Sequence, residues 1–363
     1  LGVLTNIGKE STEKSLKDIK KNKVTYTKSD YDNVPSLIKA LYDGEVDAVV
    51  LNEAYRSNVC DIEEYANFNN ETKVIHKTVY YTKENSSSLA VSDITSKPFN
   101  VLISGSDTRG GFDENGRSDV IMVATVNPKT HTILLTSVPR DFYVTTACDA
   151  GDGCMQGALD KITHTGIHGT NTTKRTVEQL LGIEINYTFK VGFDTVTELV
   201  DVLGGVDVYV EPGYATTTSE FSVHEGVNHL NAQQALAFAR ERYSYTEGDR
   251  QRTKNQQQVL MGIVKEATKP SVITNYAAIM DTMANTFSTT MSNAEITDLI
   301  KYQLNNNPTW KMEQYMVDGT GDTLMCAELG DAASVMVPDQ STVKMAKDKI
   351  NAVLAGKSSE DVK

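Results

Sequence analysis

Between Phe99 and Val144 the chain alternates between apolar runs and polar breaks. Three stretches, 99–105, 120–126 and 132–138, are rich in Val, Ile and Leu and are bounded by Gly, Pro, Asn and Asp. Runs of this length between turn signals predict three buried strands. Asn127-Pro128-Lys129-Thr130 has the composition of a tight turn, so the second and third strands should be antiparallel neighbours. If the compact loop between the first two also reverses the chain, three strand ends share one edge of the sheet. Those ends carry Asp107, Asp119 and Arg140. Two carboxylates and a guanidinium are costly to desolvate without partners, so a bound cation and anion at this rim are the natural explanation.

The pattern elsewhere divides the chain into a small unit (1–82), a linker (83–98) and a larger domain (99–363). In the small unit, 1–5, 46–52 and 74–82 read as strands and 34–42 as a helix, an α/β arrangement. Its polar residues Asp30, Asp32, Glu53 and Arg56 read as solvated surface. The linker is polar and Ser-rich and closes on Pro98. Past the three strands, 158–182 contains a helix with Val177, Leu180 and Leu181 on one face and Thr172 or Thr173 as N-cap. Residues 185–193, 194–205 and 206–210 read as strand, helix and strand, a crossover unit packed on the main sheet. A mobile loop is expected over 212–226. Amphipathic helices follow at 275–287 and 294–304, then a strand at 310–319 and a closing helix at 341–356. Met280, Met283 and Met291 read as core filler.

The segment 231–270 breaks the usual inside-outside rule. One helix should run to about Arg240 and a second should start near Asp249. Arg240 and Arg242 share a face only if the chain is extended between them. In the second helix, stepping back from Leu260, Ile263, Val264 and Ala267 by turns leads to Gln256, Arg252 and Asp249. The inward stripe thus becomes polar and charged at its N-terminal end, which requires something buried for those groups to bind. Surface ion pairs with Glu241, Glu247 and Asp249 are the competing explanation, but three such arginines in an acidic chain suit an anion such as phosphate better.

Charge and cysteine usage narrow the picture. A formal net charge of −13 argues against a nucleic-acid partner, because phosphate-backbone affinity needs a basic face. Cys148 and Cys154 bracket a short Gly- and Asp-containing loop whose spacing suits a disulfide; two free thiols or half a zinc site are the alternatives. Cys60 and Cys326 read as buried singles. His164 and His168 are four apart, but Gly166 between them weakens a helix and no H-E-x-x-H pattern occurs, so a histidine metal site is disfavoured. With 39% apolar residues the chain can support real cores, and no run of eighteen apolar residues is present. Opening on Leu1, it is expected to be a fragment whose membrane anchor lies outside it.

Phosphate-loop, nucleophile-elbow and dinucleotide-binding glycine motifs are missing from the sequence. Ser104 and Ser106 have no histidine partner in sequence for a serine triad. Carboxylates with several arginines remain, the inventory for phosphoryl transfer with Mg²⁺ on oxygen ligands. The ordered motifs SGSDTR (104–109), GRSD (116–119), SVPRD (137–141), GGV (204–206), ARER (239–242) and DRQR (249–252) with Gln256 resemble the LytR-CpsA-Psr family. The resemblance covers residues 98 to about 355, and residues 1–97 look like the accessory domain of capsule-type members. Thr163, where many members have Asn, is a departure expected to touch no residue of the phosphate site.

The resemblance implies a three-layer α/β/α catalytic domain with a mainly antiparallel or mixed central sheet, beside a small α/β accessory domain. It implies an enzyme on the extracytoplasmic face of a bacterial membrane, usually Gram-positive. Such an enzyme takes a polyprenyl-pyrophosphate-linked glycan and attaches the phosphate-linked glycan, capsular polysaccharide or teichoic acid, to peptidoglycan. A lipid pyrophosphatase side activity goes with it. Asp107 and Asp119 would hold Mg²⁺, with Mn²⁺ as a substitute; Arg117, Arg140, Arg240, Arg242, Arg252 and Gln256 would hold the pyrophosphate at the mouth of an apolar tunnel. Asp107, Asp119 and Asp249 are the candidates to orient or deprotonate the acceptor hydroxyl. The competing reading is a carrier or regulator that binds polyprenyl phosphates without turnover.

Overall fold

The computed structural model describes residues 1–79, 89–106, 115–149, 152–273 and 287–363. Residues 275–286 of the helix expected at 275–287, with Met280 and Met283, and the candidate ligand Asp107 lie outside the described residues, while Phe287 opens a strand.

The first unit is built on a three-stranded parallel sheet, with β1 (Gly2–Leu4) between β2 (Ser29–Tyr31) and β3 (Val49–Val50). Helices α1 (Lys9–Lys21) and α2 (Val34–Tyr42) make the returns, and Asn33 caps α2 by accepting from the backbone N–H of Ser36. Short helices α3 (Arg56–Cys60) and α4 (Phe68–Glu71) complete a core of Leu4, Leu37, Ile38, Tyr55, Val59 and Phe68. Two expected strands shrink here. Only Val49–Val50 of 46–52 pairs, and residues 74–79 form no strand; 80–82 are outside the described part. In the second run Val74, Ile75 and Val79 are exposed, so its apolar character is not matched by burial. Cys60 is half-buried rather than buried.

The main domain rests on a six-stranded mixed sheet. β4 (Phe99–Ser106), β5 (Ser118–Asn127) and β6 (Thr132–Ser137) are its centre, antiparallel to one another as the turn chemistry requires. β9 (Tyr187–Val191) pairs parallel with β4 and antiparallel with β14 (Phe287–Thr289), and β15 (Lys311–Met316) adds parallel to β6 at the other edge. Alternation along β5 divides two cores. Ile121 and Val123 face Val177 and Leu181 of α5 (Thr170–Leu181) and the C-terminal helix Gln340–Leu354. Met122 and Ala124 face Leu260, Met261 and Val264 of α8 (Asp249–Ala267). Helices on both faces of a mixed sheet give the three layers.

Between these elements the chain departs from expectation in three places. The N-cap of α5 is Gly169, with Thr172 and Thr173 fully buried inside the helix, where their hydroxyls bond other elements. After α6 (Phe193–Val202), β10 (Val206–Val210) leaves the main sheet and pairs with β13 (Gly226–Leu230), so the crossover is not completed there. Val206, Val208 and Val210 instead pack on α7 (Ala232–Arg240) and α8 in a core of their own. Within the expected mobile loop, β11 (Thr216–Thr217) and β12 (Ser222–Val223) form a small hairpin, held by the burial of Phe221 and Val223. The disulfide Cys148–Cys154 forms. It lies in the connection between β7 (Tyr143–Thr145) and β8 (Leu159–Lys161), a short antiparallel ribbon that precedes a 3₁₀ segment, Ile162–His168. A long hairpin, β16 (Gly319–Cys326) and β17 (Asp331–Pro338), has no counterpart in the sequence reading. Among the described residues no helix is long and apolar enough to cross a membrane.

Candidate active site

Register places the rim. Ser106 at the end of β4 pairs with Ser118 at the start of β5, and Ser137 at the end of β6 pairs with Met122. Arg117 and Asp119 therefore lie at the opening of β5, and Arg140 follows β6 after Pro139 at the same edge. The 3₁₀ segment is drawn against them because the Thr163 N–H donates to the Arg140 carbonyl at 3.0 Å. Gly166 makes that approach feasible, since a Cβ there would come within 2.6 Å of the Ser118 backbone nitrogen. Beneath the rim, hydroxyls of Ser104, Ser118, Thr173 and Thr165 are linked at 2.9–3.2 Å and tie α5 to the sheet.

Asp119 is the centre of the charge arrangement. Arg140 Nη1 donates to its Oδ1 at 2.8 Å, Arg117 Nε stands 4.0 Å from the same oxygen, and the Thr163 hydroxyl donates to it at 3.3 Å. Thr163 thus touches the site, contrary to expectation, because the backbone bond to Arg140 brings its side chain over Asp119. Burial pushes the Asp119 carboxyl up, but Arg117, Arg140 and Arg252 together overcome it and hold the group below the usual carboxylate range. For Arg140, burial works against its charge and is outweighed by Asp119, Asp141 and Asp249, so its pKa is raised; the same holds for Arg117 with Asp119 and Asp61.

The first turn of α8 closes the site from above. Arg252 Nη2 pairs with Asp249 Oδ1, which also lies 4.0 Å from Arg140 Nε. Arg252 differs from the other two guanidiniums: burial depresses it most, and Asp249 and Asp119, opposed by the charges of Arg140 and Arg242, do not make good that loss. Arg140 Nε and Arg252 Nε are buried and reach no hydrogen-bond acceptor, and Asp249 Oδ1, despite its ion pairs, accepts no well-aligned hydrogen bond. A buried guanidinium short of negative charge is a built receptor for an oxyanion.

The remaining candidates divide. The chain is extended at Glu241, but Arg240 is exposed and lies over the Phe193 ring at 4.6 Å. Arg242 is half-buried, donates to the Tyr243 hydroxyl at 2.6 Å, and its charge is felt at Arg252. Gln256 is half-buried one turn beyond Arg252 and does not join the ion-pair cluster; its neighbour Gln257 is the buried one, donating to the carbonyls of Leu135 and Tyr315. Sequence reasoning missed Asp141 and Lys161, paired at 3.3 Å beside Arg140, and Asn58 and Asp61 of the first unit, both on Arg117 Nη1. Asp141 stood in the quoted motif; the others carry no local signal.

Asp119 and Asp249 offer hard oxygen donors within reach of one guanidinium, a set that suits Mg²⁺ better than a soft metal. Among the described residues no three His, Cys, Asp or Glu side chains form a cage. His164 and His168 are taken by Asp160 and Glu328, at 2.6 and 2.7 Å.

The family model described as LytR_cpsA_psr family matches residues 63–352. The polyisoprenyl-teichoic acid–peptidoglycan teichoic acid transferase TagU of Bacillus cereus is 32% identical over 238 residues, 65% of this chain and 75% of that protein. A crystallised Streptococcus agalactiae protein superposes with a TM-score of 0.61 at 25% identity, covering 72% of this chain and 89% of the other. TagV of Bacillus subtilis gives 0.57 at 25% identity over 72% and 98%. A match over residues 63–352, most of the length, means that the chain belongs to the LytR-CpsA-Psr family.

Proposed function

We propose that this protein transfers a phosphate-linked wall glycan from a polyprenyl-pyrophosphate carrier to peptidoglycan. One observation carries the reading: Arg252, buried among other guanidiniums with its Nε unpartnered and its charge under-compensated, calls for a multiply charged anion beside Arg140. The similarity to proteins named teichoic acid transferases supports the acceptor and donor classes. Partly buried Leu260, Met261 and Val264 lie farther along α8, roughly 12–18 Å from Arg252 at 1.5 Å per residue, facing Val101, Ile103 and Met312. That apolar layer suits the prenyl chain once the pyrophosphate is seated. The work would take place on the outer face of the membrane, and a capsular polysaccharide is the favoured cargo over a teichoic acid.

In the proposed step an acceptor sugar hydroxyl forms a new P–O bond to the glycan-bearing phosphorus. The bond from that phosphorus to the bridging oxygen breaks, and the prenyl monophosphate leaves with the electron pair. Arg140 and Arg252 hold the non-bridging oxygens as charge gathers on them. Asp119 Oδ1 accepts from Arg140 and Thr163, whereas Asp249 Oδ1 lies in ion pairs with Arg252 and Arg140 but accepts no well-aligned hydrogen bond, so within the described residues Asp249 is the carboxylate better placed to take the hydroxyl proton. Asp107 and Asp119, the pair that the family resemblance implies, would hold Mg²⁺, which would neutralise phosphate charge when bound.

The test is to incubate the purified protein with a polyprenyl-pyrophosphate glycan, Mg²⁺ and peptidoglycan and to follow transfer, with capsular and teichoic donors compared. Arg140→Ala should slow turnover roughly 10²–10³-fold. Tight lipid binding with no transfer and no phosphate-bond cleavage would make the protein a carrier instead.

A further inference from the structure

The first unit reaches the rim through one short helix. Tyr55, immediately before α3, is buried and its hydroxyl donates to Glu328 Oε2 at 2.7 Å; Val59 within α3 is fully buried in the first unit's core, which Ile167 of the 3₁₀ segment joins. These anchors fix two polar side chains against the site. Asn58 is 7% exposed, and its Nδ2 donates to His164 Nε2 at 3.1 Å while its Oδ1 accepts from Arg117 Nη1 at 3.3 Å. With the His164 proton on Nδ1, donated to Asp160, every member of that chain is satisfied in one direction. Asp61 Oδ2 accepts from the same Arg117 Nη1 at 2.6 Å.

We infer that Asp61 and Asn58 are positioning residues of the phosphate site, supplied by the N-terminal unit and acting through Arg117. The inference rests on the reading of that site as a pyrophosphate receptor. Arg117, 7% exposed, has Asp61 of the first unit on one side and Asp119 of β5 on the other. Arginine has a long, rotamer-rich stem, and fixing its fork before the ligand arrives lowers the cost of binding. Asp61 itself is 56% exposed, so its ion pair contributes little to folding, and its consequence falls on where the Arg117 fork sits. Asn58 and Asp61 both lie in the N-terminal unit and precede residue 63, where the match to the family model begins.

The full chain would be compared with Asp61→Ala, Asp61→Glu, Arg117→Ala and the Asp61→Ala/Arg117→Ala double variant, with Arg140→Ala as reference. Calorimetry with inorganic pyrophosphate and transfer kinetics with the lipid-linked donor are the readouts. Asp61→Ala should weaken pyrophosphate binding and raise the donor KM about 3- to 10-fold, with kcat within about 2-fold, and Asp61→Glu should restore both. In the Arg117→Ala background, adding Asp61→Ala should change nothing further. Wild-type binding in Asp61→Ala, or a full additional loss in the double variant, overturns the positioning role. A wild-type protein that binds pyrophosphate no better than Arg140→Ala overturns the phosphate site itself, and the positioning role with it.

Discussion

His168 meets Glu328 at 2.7 Å in a place where little water reaches, and the two effects oppose each other. Burial lowers the imidazole pKa, while the hydrogen bond and charge of Glu328 raise it further, leaving it above 6.5. A raised folded-state value means the stabilisation is complete below about pH 6.5 and is lost as pH climbs through the folded pKa. The melting temperature of the wild type, measured against that of His168→Gln, should therefore fall as pH is raised above 6.5; a difference independent of pH would contradict the pairing. At this scale the chain was partly legible. Asp119 and Arg140 could be placed together because strand ends and a tight turn fix where they go, and Asp249 with Arg252 because a helix start repeats every turn. Thr163, Asn58 and Asp61 could not, since what they touch depends on how distant segments pack. Arg240 stands apart: it is the last residue of α7, and there an aromatic ring claims its side chain.

Single elements carry the site by how closely they approach. The 3₁₀ segment runs over the start of β5 with no room for a side chain at position 166. Gly166→Ala should cost about 1–3 kcal/mol in urea unfolding, as overpacking does, and should depress transfer because Ser118 lies between Arg117 and Asp119. Unchanged stability would mean that the segment moves aside freely. Of the elements, those with apolar runs buried on both faces were readable from end to end, β4, β5 and β6 above all. β10 was readable as a strand but not as to its partner: Val206, Val208 and Val210 alternate towards α7 and α8, and nothing in that period distinguishes a place in the main sheet from a separate hairpin. The N-terminus of α5 was misplaced because a threonine hydroxyl that looks like a cap is bonded to a neighbouring element instead.

In the whole molecule the two units share buried polar contacts. Glu328 accepts from Tyr55 on one oxygen and from His168 on the other, while its own N–H donates to Asp160 at 2.6 Å. Burial, with the charge of Glu328, drives the Tyr55 hydroxyl pKa well above its ordinary value, so it stays protonated and donating. Tyr55→Phe leaves a buried carboxylate oxygen short of a donor and should destabilise by about 1–3 kcal/mol. The loss should appear in both units together, read by probes in each, because the contact joins them; a loss confined to the first unit would show that they unfold separately. The contacts that join the first unit's sheet to the main sheet were not visible in the hydrophobic pattern, since they are made of isolated polar residues with no period.

The parallel pairing of β6 with β15 has a consequence for the order of synthesis. β6 is complete at residue 137, but the strand that covers its far edge comes only at residues 311–316. A ribosome adding about 5–20 residues per second leaves that edge unpaired for on the order of ten seconds or more. During that interval a strand whose every side chain is buried in the finished fold offers a row of free N–H and C=O groups to any neighbouring chain, so the nascent protein is most prone to aggregate until residue 316 has been made.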